Sequence, residues 1–243
     1  MKVLIKKNYD ELSKQASEII AEVVKQSPDA ILGLATGSTP IGTYKELIRM
    51  HKEEDLDFSK IKTFNLDEYV GLGGDNPNSY RYFMDHELFD HINIKKENTN
   101  VPDGKTKDLL DFCKNYDKRI EEAGGLDLQL LGIGSNGHIA FNEPDEELSV
   151  NTSIVKLTEE TIKSNARFFN SMEEVPKEAL SMGIGSILKA KRIILLASGK
   201  GKQEAVKKLL MSDKVSTYLP ASFLLLHPDV TIIADEDAYS LMK

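Results

Sequence analysis

The sequence predicts an α/β protein in which a mostly parallel sheet is covered by helices on both faces. Short apolar runs, typical of strands buried in a parallel sheet, alternate with longer segments whose apolar residues recur at helical spacing. Several of these runs end in small polar or glycine-containing loops, as strands do where they turn into a helix. The 243 residues fit one large domain of this class or two small ones.

Composition and charge restrict the classes of function. A net charge of −8 at pH 7 argues against general binding to nucleic acid or anionic membranes, and an anionic substrate would need a local positive site. Cys113 is the only cysteine, so the sequence allows no internal disulfide and no thiolate metal cluster. Residues 1–7 are too charged for a signal peptide, and no apolar run reaches the ~20 residues of a membrane helix. We therefore expect a cytoplasmic protein.

The first predicted helix lies between the first two strands. Residues 2–5 can form the first strand. Asn8 is a candidate N-cap, and Glu11 three residues later completes a capping box. Apolar residues at helical spacing then predict an amphipathic helix over 9–26. The apolar run 30–35 predicts the second strand.

The turn after the second strand is a candidate anion site. It contains Thr36, Gly37, Ser38 and Thr39, followed by Pro40. Thr39 can cap the next helix, and Pro40 suits its first turn because proline has no N–H to satisfy there. Backbone N–H groups and the positive end of a helix attract anions such as phosphate. The alternative is a well-capped turn without a ligand, since the segment is neither a Walker loop nor a Gly-x-Gly-x-x-Gly motif.

The third predicted strand, 61–66, brings a carboxylate to a glycine-rich loop. Asp67 lies where the strand opens into this loop. A carboxylate against an apolar sheet is partly desolvated, which raises its pKa and suits it to act as a base. The alternative is an Asp that only caps a turn. We expect a structural role for the adjacent Glu68, and Ser79 is a candidate cap of the following helix.

The apolar run 128–133 predicts a buried strand that ends abruptly in the loop 134–137. The loop then presents His138, and Glu143 follows five residues later. A histidine and a carboxylate at the carboxyl end of a strand are candidates for acid–base chemistry. The alternative is that His138 caps a turn and Glu143 is a solvated loop residue.

The remaining segments continue the alternation. Helices are predicted over 107–123, 158–170, 176–190 and 220–226, the third of them broken near Gly183 and Gly185, and strands over 193–197 and 230–234. In the first of these helices, Leu109, Leu110 and Cys113 are expected to face the core. The polar region 145–175 is a candidate mobile lid. The loop 198–202 places lysines at a helix start, which suits an anion as well as a solvated surface.

All of the candidate loops follow predicted strands. The carboxyl ends of parallel strands share one edge of a sheet, and ligands bind along that edge. We therefore predict a single site built from Thr36–Thr39, Asp67, the loop 136–143 and the loop 198–202.

The motifs in these loops resemble those of the glucosamine-6-phosphate deaminases. The matching segments are 34–40 (LATGSTP), 64–72 (FNLDEYVGL), 137–144 (GHIAFNEP), 165–169 (NARFF) and 198–202 (SGKGK). The resemblance extends over nearly the whole chain, and 137–144 is its most specific part. It implies a Rossmann-like single domain over 1–243 that converts glucosamine 6-phosphate and water to fructose 6-phosphate and ammonia. It also implies that this reaction needs no metal ion and no organic cofactor.

The resemblance implies a role for each matching residue. His138 would open the sugar ring, Glu143 would hold and tune its imidazole, and Asp67 would move a proton from carbon 2 to carbon 1. The phosphate ligands would be Thr36, Gly37, Ser38 and Thr39, with positive charge from Arg167 and Lys202.

The chain departs from the family pattern in two respects, one catalytic and one regulatory. Some members carry Asp where this chain has Asn136; we keep Asn136 in the site, expect its carbonyl oxygen to orient His138, and expect a different pH profile. Members activated by N-acetylglucosamine 6-phosphate carry basic and hydroxyl groups where this chain has Glu146, Ser153 and Val155. Because Glu146 would repel a phosphate, we expect no such activation. The oligomeric state stays open, a homo-oligomer included.

Three other functions fit parts of the pattern. A 6-phosphogluconolactonase has a similar fold and a similar Gly-His motif, but segments 67–72 and 141–144 favour the deaminase. A catalytically silent sugar-phosphate sensor needs only the phosphate ligands, so the presence of Asp67, His138 and Glu143 together argues against it. An isomeric substrate such as galactosamine 6-phosphate stays open.

Overall fold

The computed structural model describes residues 1–166, 169 and 171–242. Its strands are β1 (Lys2–Lys6), β2 (Ile31–Leu34), β3 (Lys62–Asn65), β4 (Asp67–Tyr69), β5 (Thr99–Asn100), β6 (Leu128–Gly132), β7 (Ser153–Lys156), β8 (Glu178–Ser181), β9 (Ile193–Ala197) and β10 (Val230–Asp235). Its α-helices are α1 (Tyr9–Gln26), α2 (Ile41–Glu53), α3 (Tyr80–Glu87), α4 (Leu109–Ala123), α5 (Glu159–Asn165), α6 (Ile184–Leu188) and α7 (Gln203–Met211). Short 3-10 helices include Lys200–Lys202 before α7 and Pro220–Leu226 before β10.

Among the described residues, seven strands form one sheet in the order β1-β10-β9-β6-β2-β3-β5, and each neighbouring pair is parallel. The predicted parallel sheet is therefore confirmed. The candidate loops follow β9, β6, β2 and β3, which are consecutive neighbours in this order. These loops consequently meet at one edge of the sheet.

Helices cover both faces of this sheet, as predicted. Along β9, Ile193 and Leu195 pack on the face that α4, α6 and α7 cover, while Ile194 and Leu196 pack on the face of α1 and α2. All four side chains are buried. An apolar strand without alternation is typical of a parallel sheet that is buried on both sides.

A second, antiparallel sheet corrects the prediction of a helix over 176–190. Within the described residues it has three strands in the order β4-β8-β7, and α6 follows β8. Ala179 and Leu180 of β8 are fully buried. They pair with β4 on one side and with β7 on the other. Cross-strand pairing with distant segments overrides the local helical preference of this region.

Helix ends follow the predicted caps in most places. Asn8 accepts a hydrogen bond from the Glu11 N–H (3.0 Å), and Ser79 accepts one from the Tyr82 N–H (3.1 Å). Thr39, in contrast, is not a cap. The N-cap of α2 is Pro40, which has no hydroxyl or carboxylate to offer the first turn.

Two other expectations need correction. The helix predicted from residue 107 begins at Leu109, because Asp108 caps it through the Asp111 N–H (2.9 Å). Leu110 is exposed rather than inward, whereas Cys113 is buried as expected. The polar region 145–175 contains β7 and α5. Its movement as a lid stays a prediction, and positions 167, 168 and 170 lie outside the described residues.

Candidate active site

A cleft opens where the four candidate loops meet. The predicted residues that line it are Thr36, Gly37, Ser38, Thr39, Asp67, Asn136, His138 and Lys202. Tyr80 of α3 and the α5 residues Thr161 and Asn165 line it as well. Glu143 lies behind His138, and Arg167 is outside the described part of the chain. The tertiary structure thus brings residues from four separate loops to one cavity.

A tight turn brings the side chain of Glu143 next to that of His138, which lies five positions earlier in the chain. The Asn142 N–H donates to the Ile139 carbonyl oxygen (3.1 Å), which closes a turn over residues 139–142. Ala140 in this turn has a φ of 51°, a left-handed conformation that costs an L-residue roughly 1–2 kcal/mol. Nδ1 of His138 consequently lies 3.0 Å from Oε1 of Glu143.

Gly134 makes room for the imidazole. A Cβ atom at this position would lie 2.3 Å from Cε1 of His138, closer than atoms can approach. The ring therefore rests directly on the backbone where β6 ends. Any larger residue at position 134 would push the imidazole away from Glu143.

Glu143 is a buried carboxylate surrounded by donors. Its Oε1 accepts from the Thr161 hydroxyl (2.6 Å), and its Oε2 accepts from Nδ2 of Asn136 (2.7 Å). The short contact to His138 Nδ1 departs in direction from a linear hydrogen bond. Burial raises the pKa of Glu143, but His138 and the two donors outweigh burial and lower it to about 2. Glu143 is therefore ionised at neutral pH.

Asn136 acts differently from our expectation. Its carbonyl oxygen accepts the backbone N–H of His138 (3.2 Å), while its amide nitrogen donates to Glu143. The amide nitrogen of Asn136 must face Glu143, because an ionised carboxylate can only accept hydrogen bonds. Asn136 thus holds the carboxylate and the backbone of the loop rather than the imidazole ring itself.

Replacing Asn136 by Asp is expected to change the pH profile while activity is retained. Two carboxylates in hydrogen-bond contact cannot both ionise without cost, so one keeps a proton and the Glu143–His138 pair weakens. We expect kcat/KM to fall about tenfold at neutral pH, since a hydrogen bond to a charged group contributes about 1.5–3 kcal/mol. Rates measured across the pH range with glucosamine 6-phosphate test this.

Asn93 offers a matched control for that substitution. It accepts the Phe58 N–H (2.8 Å) and donates to Asp57 (2.7 Å), the same pair of contacts at a position remote from the cleft-lining loops. Asn93→Asp should leave the pH profile unchanged. An Asn136→Asp variant indistinguishable from the parent would remove Asn136 from the catalytic set.

Asp67 is the first residue of β4 and is only 6% exposed. Its Oδ1 is buried without a hydrogen-bond partner among the described residues. Burial first, and the charge of Glu68 second, raise the pKa of Asp67 to about 8, against a smaller opposing effect of Thr36. A carboxyl with a pKa near the working pH is suited to act as a general base.

Glu68 has the structural role expected for it. Its carboxylate accepts the backbone N–H groups of Tyr69 (2.8 Å), Tyr80 (3.0 Å) and Arg81 (2.9 Å). It thereby places a negative charge at the start of α3 and fixes Tyr80 at the cleft. Burial raises the pKa of Glu68 to about 7, although the three N–H groups oppose this.

The loop Thr36–Thr39 forms the end of the cleft where α2 begins. Gly37 has a φ of 91°, which glycine adopts without strain. Pro40, the N-cap residue of α2, has no side chain that could accept an N–H of the first turn. The 13-residue helix presents its positive end beside the loop hydroxyl groups.

Lys202 reaches the same cleft from the loop after β9. Asp235, a buried residue at the end of β10, holds this loop. Its carboxylate accepts the Gly199 N–H (3.0 Å) and the Ala238 N–H (2.8 Å). Asp235 was not among the predicted residues, although its place at the carboxyl end of a strand could have indicated it.

Sequence reasoning also missed Tyr80, Thr161 and Asn165. Asn165 donates to the Tyr69 hydroxyl (2.8 Å), which lies 3.1 Å from the Tyr80 hydroxyl. Thr161 contacts Glu143 from α5, 18 positions later in the chain. No local pattern predicts such contacts, because they depend on how α5 packs over the cleft.

Comparison with known proteins decides the family. A family model described as glucosamine-6-phosphate isomerases/6-phosphogluconolactonase matches residues 6–233. The chain belongs to this family. Within the family, it is 57% identical to a glucosamine-6-phosphate deaminase of Thermoanaerobacter pseudethanolicus, over all of this chain and 95% of that protein. It is 56% identical to a glucosamine-6-phosphate deaminase of Clostridium perfringens over the full length of both.

Solved structures of the family agree with the fold. A monomeric glucosamine-6-phosphate deaminase superposes with a TM-score of 0.96 at 51% identity, covering 99% of this chain and all of that one. A 6-phosphogluconolactonase from Trypanosoma cruzi superposes with a TM-score of 0.76 at 22% identity, over 98% and 96% of the two chains, and shows the shared fold alone. The predicted family and its Rossmann-like fold are thus confirmed. The described helices include none long and apolar enough to cross a membrane.

Proposed function

We propose that this protein converts glucosamine 6-phosphate and water to fructose 6-phosphate and ammonia. The observation that carries the proposal is that a buried base, Asp67, shares one cleft with the His138–Glu143 pair and the Thr36–Thr39 loop. A sugar phosphate spans such a cleft with its phosphate at the loop and carbons 1 and 2 near the two titratable groups. The full-length relatives that are named as glucosamine-6-phosphate deaminases support the same reaction.

The first step is ring opening by His138. Nδ1 faces Glu143, so Nε2 is the nitrogen that a substrate meets. Nε2 takes the proton from the hydroxyl on carbon 1 and returns it to the ring oxygen. The bond from carbon 1 to the ring oxygen breaks, and carbon 1 becomes an aldehyde. Ionised Glu143 stabilises the transient imidazolium.

Asp67 then carries out the isomerisation. Its carboxylate takes the proton from carbon 2, the electrons move to the oxygen on carbon 1, and that oxygen takes a proton from the ammonium group on carbon 2, which becomes an amine. The resulting enolamine receives the proton back from Asp67 at carbon 1, which leaves an iminium ion at carbon 2. Water adds to carbon 2, and ammonia leaves. The burial of Asp67 favours its neutral form, which it adopts once it has taken the proton from carbon 2.

The phosphate ligands follow from the same geometry. The start of α2 and the hydroxyl groups of the Thr36–Thr39 loop supply donors, and Lys202 supplies positive charge. Arg167, from the matching family motif, is proposed to add a second cation. This local field lets a protein of net charge −8 bind an anionic substrate.

Ammonia release from glucosamine 6-phosphate tests the reaction. We expect equal amounts of ammonia and fructose 6-phosphate, with the same rate after treatment with a chelator. Galactosamine 6-phosphate and 6-phosphogluconolactone are tested as alternative substrates in separate, parallel assays. Hydrolysis of the lactone without ammonia release would favour the lactonase, and binding of the sugar phosphate without turnover would favour the sensor.

N-Acetylglucosamine 6-phosphate is expected to leave the kinetics unchanged. Glu146 is exposed, and its carboxylate would repel a phosphate, while the apolar Val155 offers it no donor. Initial rates across substrate concentrations, with and without this compound, give the measurement. Sigmoidal kinetics that become hyperbolic on its addition would contradict the expectation.

Assembly and location are part of the proposal. The relative at 51% identity is described as monomeric. A homo-oligomer of this chain therefore stays a prediction, which light scattering on the purified protein decides. We place the protein in the cytoplasm, because a phosphorylated sugar does not cross an apolar bilayer unaided.

A further inference from the structure

Tyr9, the first residue of α1, joins α1 to the Thr36–Thr39 loop through its hydroxyl group. The oxygen lies 3.1 Å from the carbonyl oxygens of both Ser38 and Thr39, which share its single proton in a bifurcated hydrogen bond. It also accepts the backbone N–H of Gly42 in the first turn of α2 (2.8 Å). A hydroxyl group has one donor and two acceptor positions, so it can serve the loop and the helix together.

The contact to Gly42 replaces a missing cap. Pro40 provides no side-chain acceptor for the first turn of α2. The Tyr9 hydroxyl performs this function from a different helix. Helices α1 and α2 lie close together at this point. A Cβ atom on Gly42 would lie only 2.3 Å from Oγ of Ser13. Tyr9 consequently has a fixed place relative to α2.

The contact to Ser38 fixes a peptide plane in the loop. In a trans peptide the carbonyl oxygen and the following N–H point in opposite directions. The Ser38 oxygen points to Tyr9, so the Thr39 N–H points away from Tyr9. Ser38 and Thr39 line the cleft, and Tyr9 lies behind them. The hydroxyl thus keeps the negative ends of two peptides away from a bound anion.

We propose that Tyr9 is a positioning residue for the substrate phosphate. It holds the Ser38 and Thr39 carbonyl groups on the side of α1 and leaves the loop N–H and hydroxyl groups for the anion. Tyr9 itself does not touch the substrate. This inference rests on the proposed function, because it assumes that the Thr36–Thr39 loop binds phosphate.

Tyr9→Phe removes only the hydroxyl and tests the proposal. We expect the Kd of inorganic phosphate, measured by calorimetry, and the KM of glucosamine 6-phosphate to rise together by about 3- to 10-fold, as for the loss of one or two hydrogen bonds. The kcat should change by less than about twofold, because the loop holds the phosphate and not the reacting carbons. This split between KM and kcat distinguishes positioning from a general loss of stability.

Tyr116→Phe is the matched control. Its hydroxyl also donates to backbone carbonyl oxygens, of Asn65 (2.8 Å) and Asn100 (3.1 Å), neither of which belongs to the phosphate loop. The Tyr116→Phe variant should be less stable than the parent, and its Kd for phosphate should be unchanged. An unchanged Kd in Tyr9→Phe, or an equal rise in both variants, would overturn the proposal. If the parent binds phosphate and releases no ammonia, the proposed function fails while the Kd values still test Tyr9. If the parent releases ammonia and binds no phosphate, the proposed function stands and the inference about Tyr9 is overturned.

Discussion

Asp67→Asn is expected to lower kcat for glucosamine 6-phosphate by about 10³-fold, within the range for loss of a general base. An amide of the same shape cannot take the proton from carbon 2. Asn keeps an acceptor oxygen for Thr36 of the phosphate loop, which hydrogen-bonds to Asp67, so the Kd of inorganic phosphate should stay within about twofold of the parent value. Ammonia release and calorimetry on the same preparation give both quantities.

Asp75→Asn is the control for this substitution. Asp75 is an exposed carboxylate paired with Lys105 (3.1 Å) in the loop that follows β4. Its replacement should leave kcat unchanged, because its charge is solvated and Asp75 is not among the cleft-lining residues. An Asp67→Asn variant that keeps a tenth or more of the parent kcat would exclude Asp67 as the base.

Asp67→Asn is also expected to change how the stability of the protein depends on pH. The native pKa of Asp67 is about 8, whereas an unfolded Asp has a pKa of about 3.9. Between these values the native state holds a proton that the unfolded state has lost. The contribution of Asp67 to the free energy of unfolding therefore falls as pH rises from about 4 to about 8. Denaturant unfolding of Asp67→Asn should show a weaker decline across this window.

His138→Gln is expected to lower kcat/KM for the cyclic substrate by about 10²- to 10⁴-fold. Gln cannot shuttle a proton from the hydroxyl on carbon 1 to the ring oxygen. The remaining rate would reflect spontaneous ring opening in solution. The open-chain amino alditol phosphate, made by reducing the substrate, needs no ring opening. It should inhibit the variant and the parent with similar inhibition constants.

His91→Gln provides the comparison for His138. The His91 imidazole contacts a backbone carbonyl oxygen, that of His86 (2.8 Å), at the far end of α3. Its loss should not affect turnover. If His138→Gln weakens the open-chain inhibitor as much as it lowers kcat/KM, its role is in binding the substrate rather than in ring opening.

Local sequence patterns predicted the buried strands and the helix starts, and the rule that parallel strands share their carboxyl edge predicted where the site lies. Uninterrupted apolar runs such as 193–197 indicated strands buried on both faces, and Asn8 and Ser79 marked helix starts through their own hydrogen bonds. These signals depend on residues that are close in sequence. Because parallel strands share their carboxyl edge, the rule placed the candidate loops together. The structure shows them after β9, β6, β2 and β3, which are neighbours.

The tertiary structure alone decided the contacts that cross long stretches of sequence. Residues 178–181 form a strand because β4 and β7 pair with them on either side, and no local preference reveals these partners. The same holds for Thr161 on Glu143 and for Tyr9 on the Thr36–Thr39 loop. The pKa of Asp67 depends on the burial that all of these elements produce together. Local sequence was enough to indicate the loop residues that line the cleft. The contribution of Tyr80, Thr161 and Asn165, and the geometry and electrostatics of the whole site, depend on packing between segments far apart in the chain.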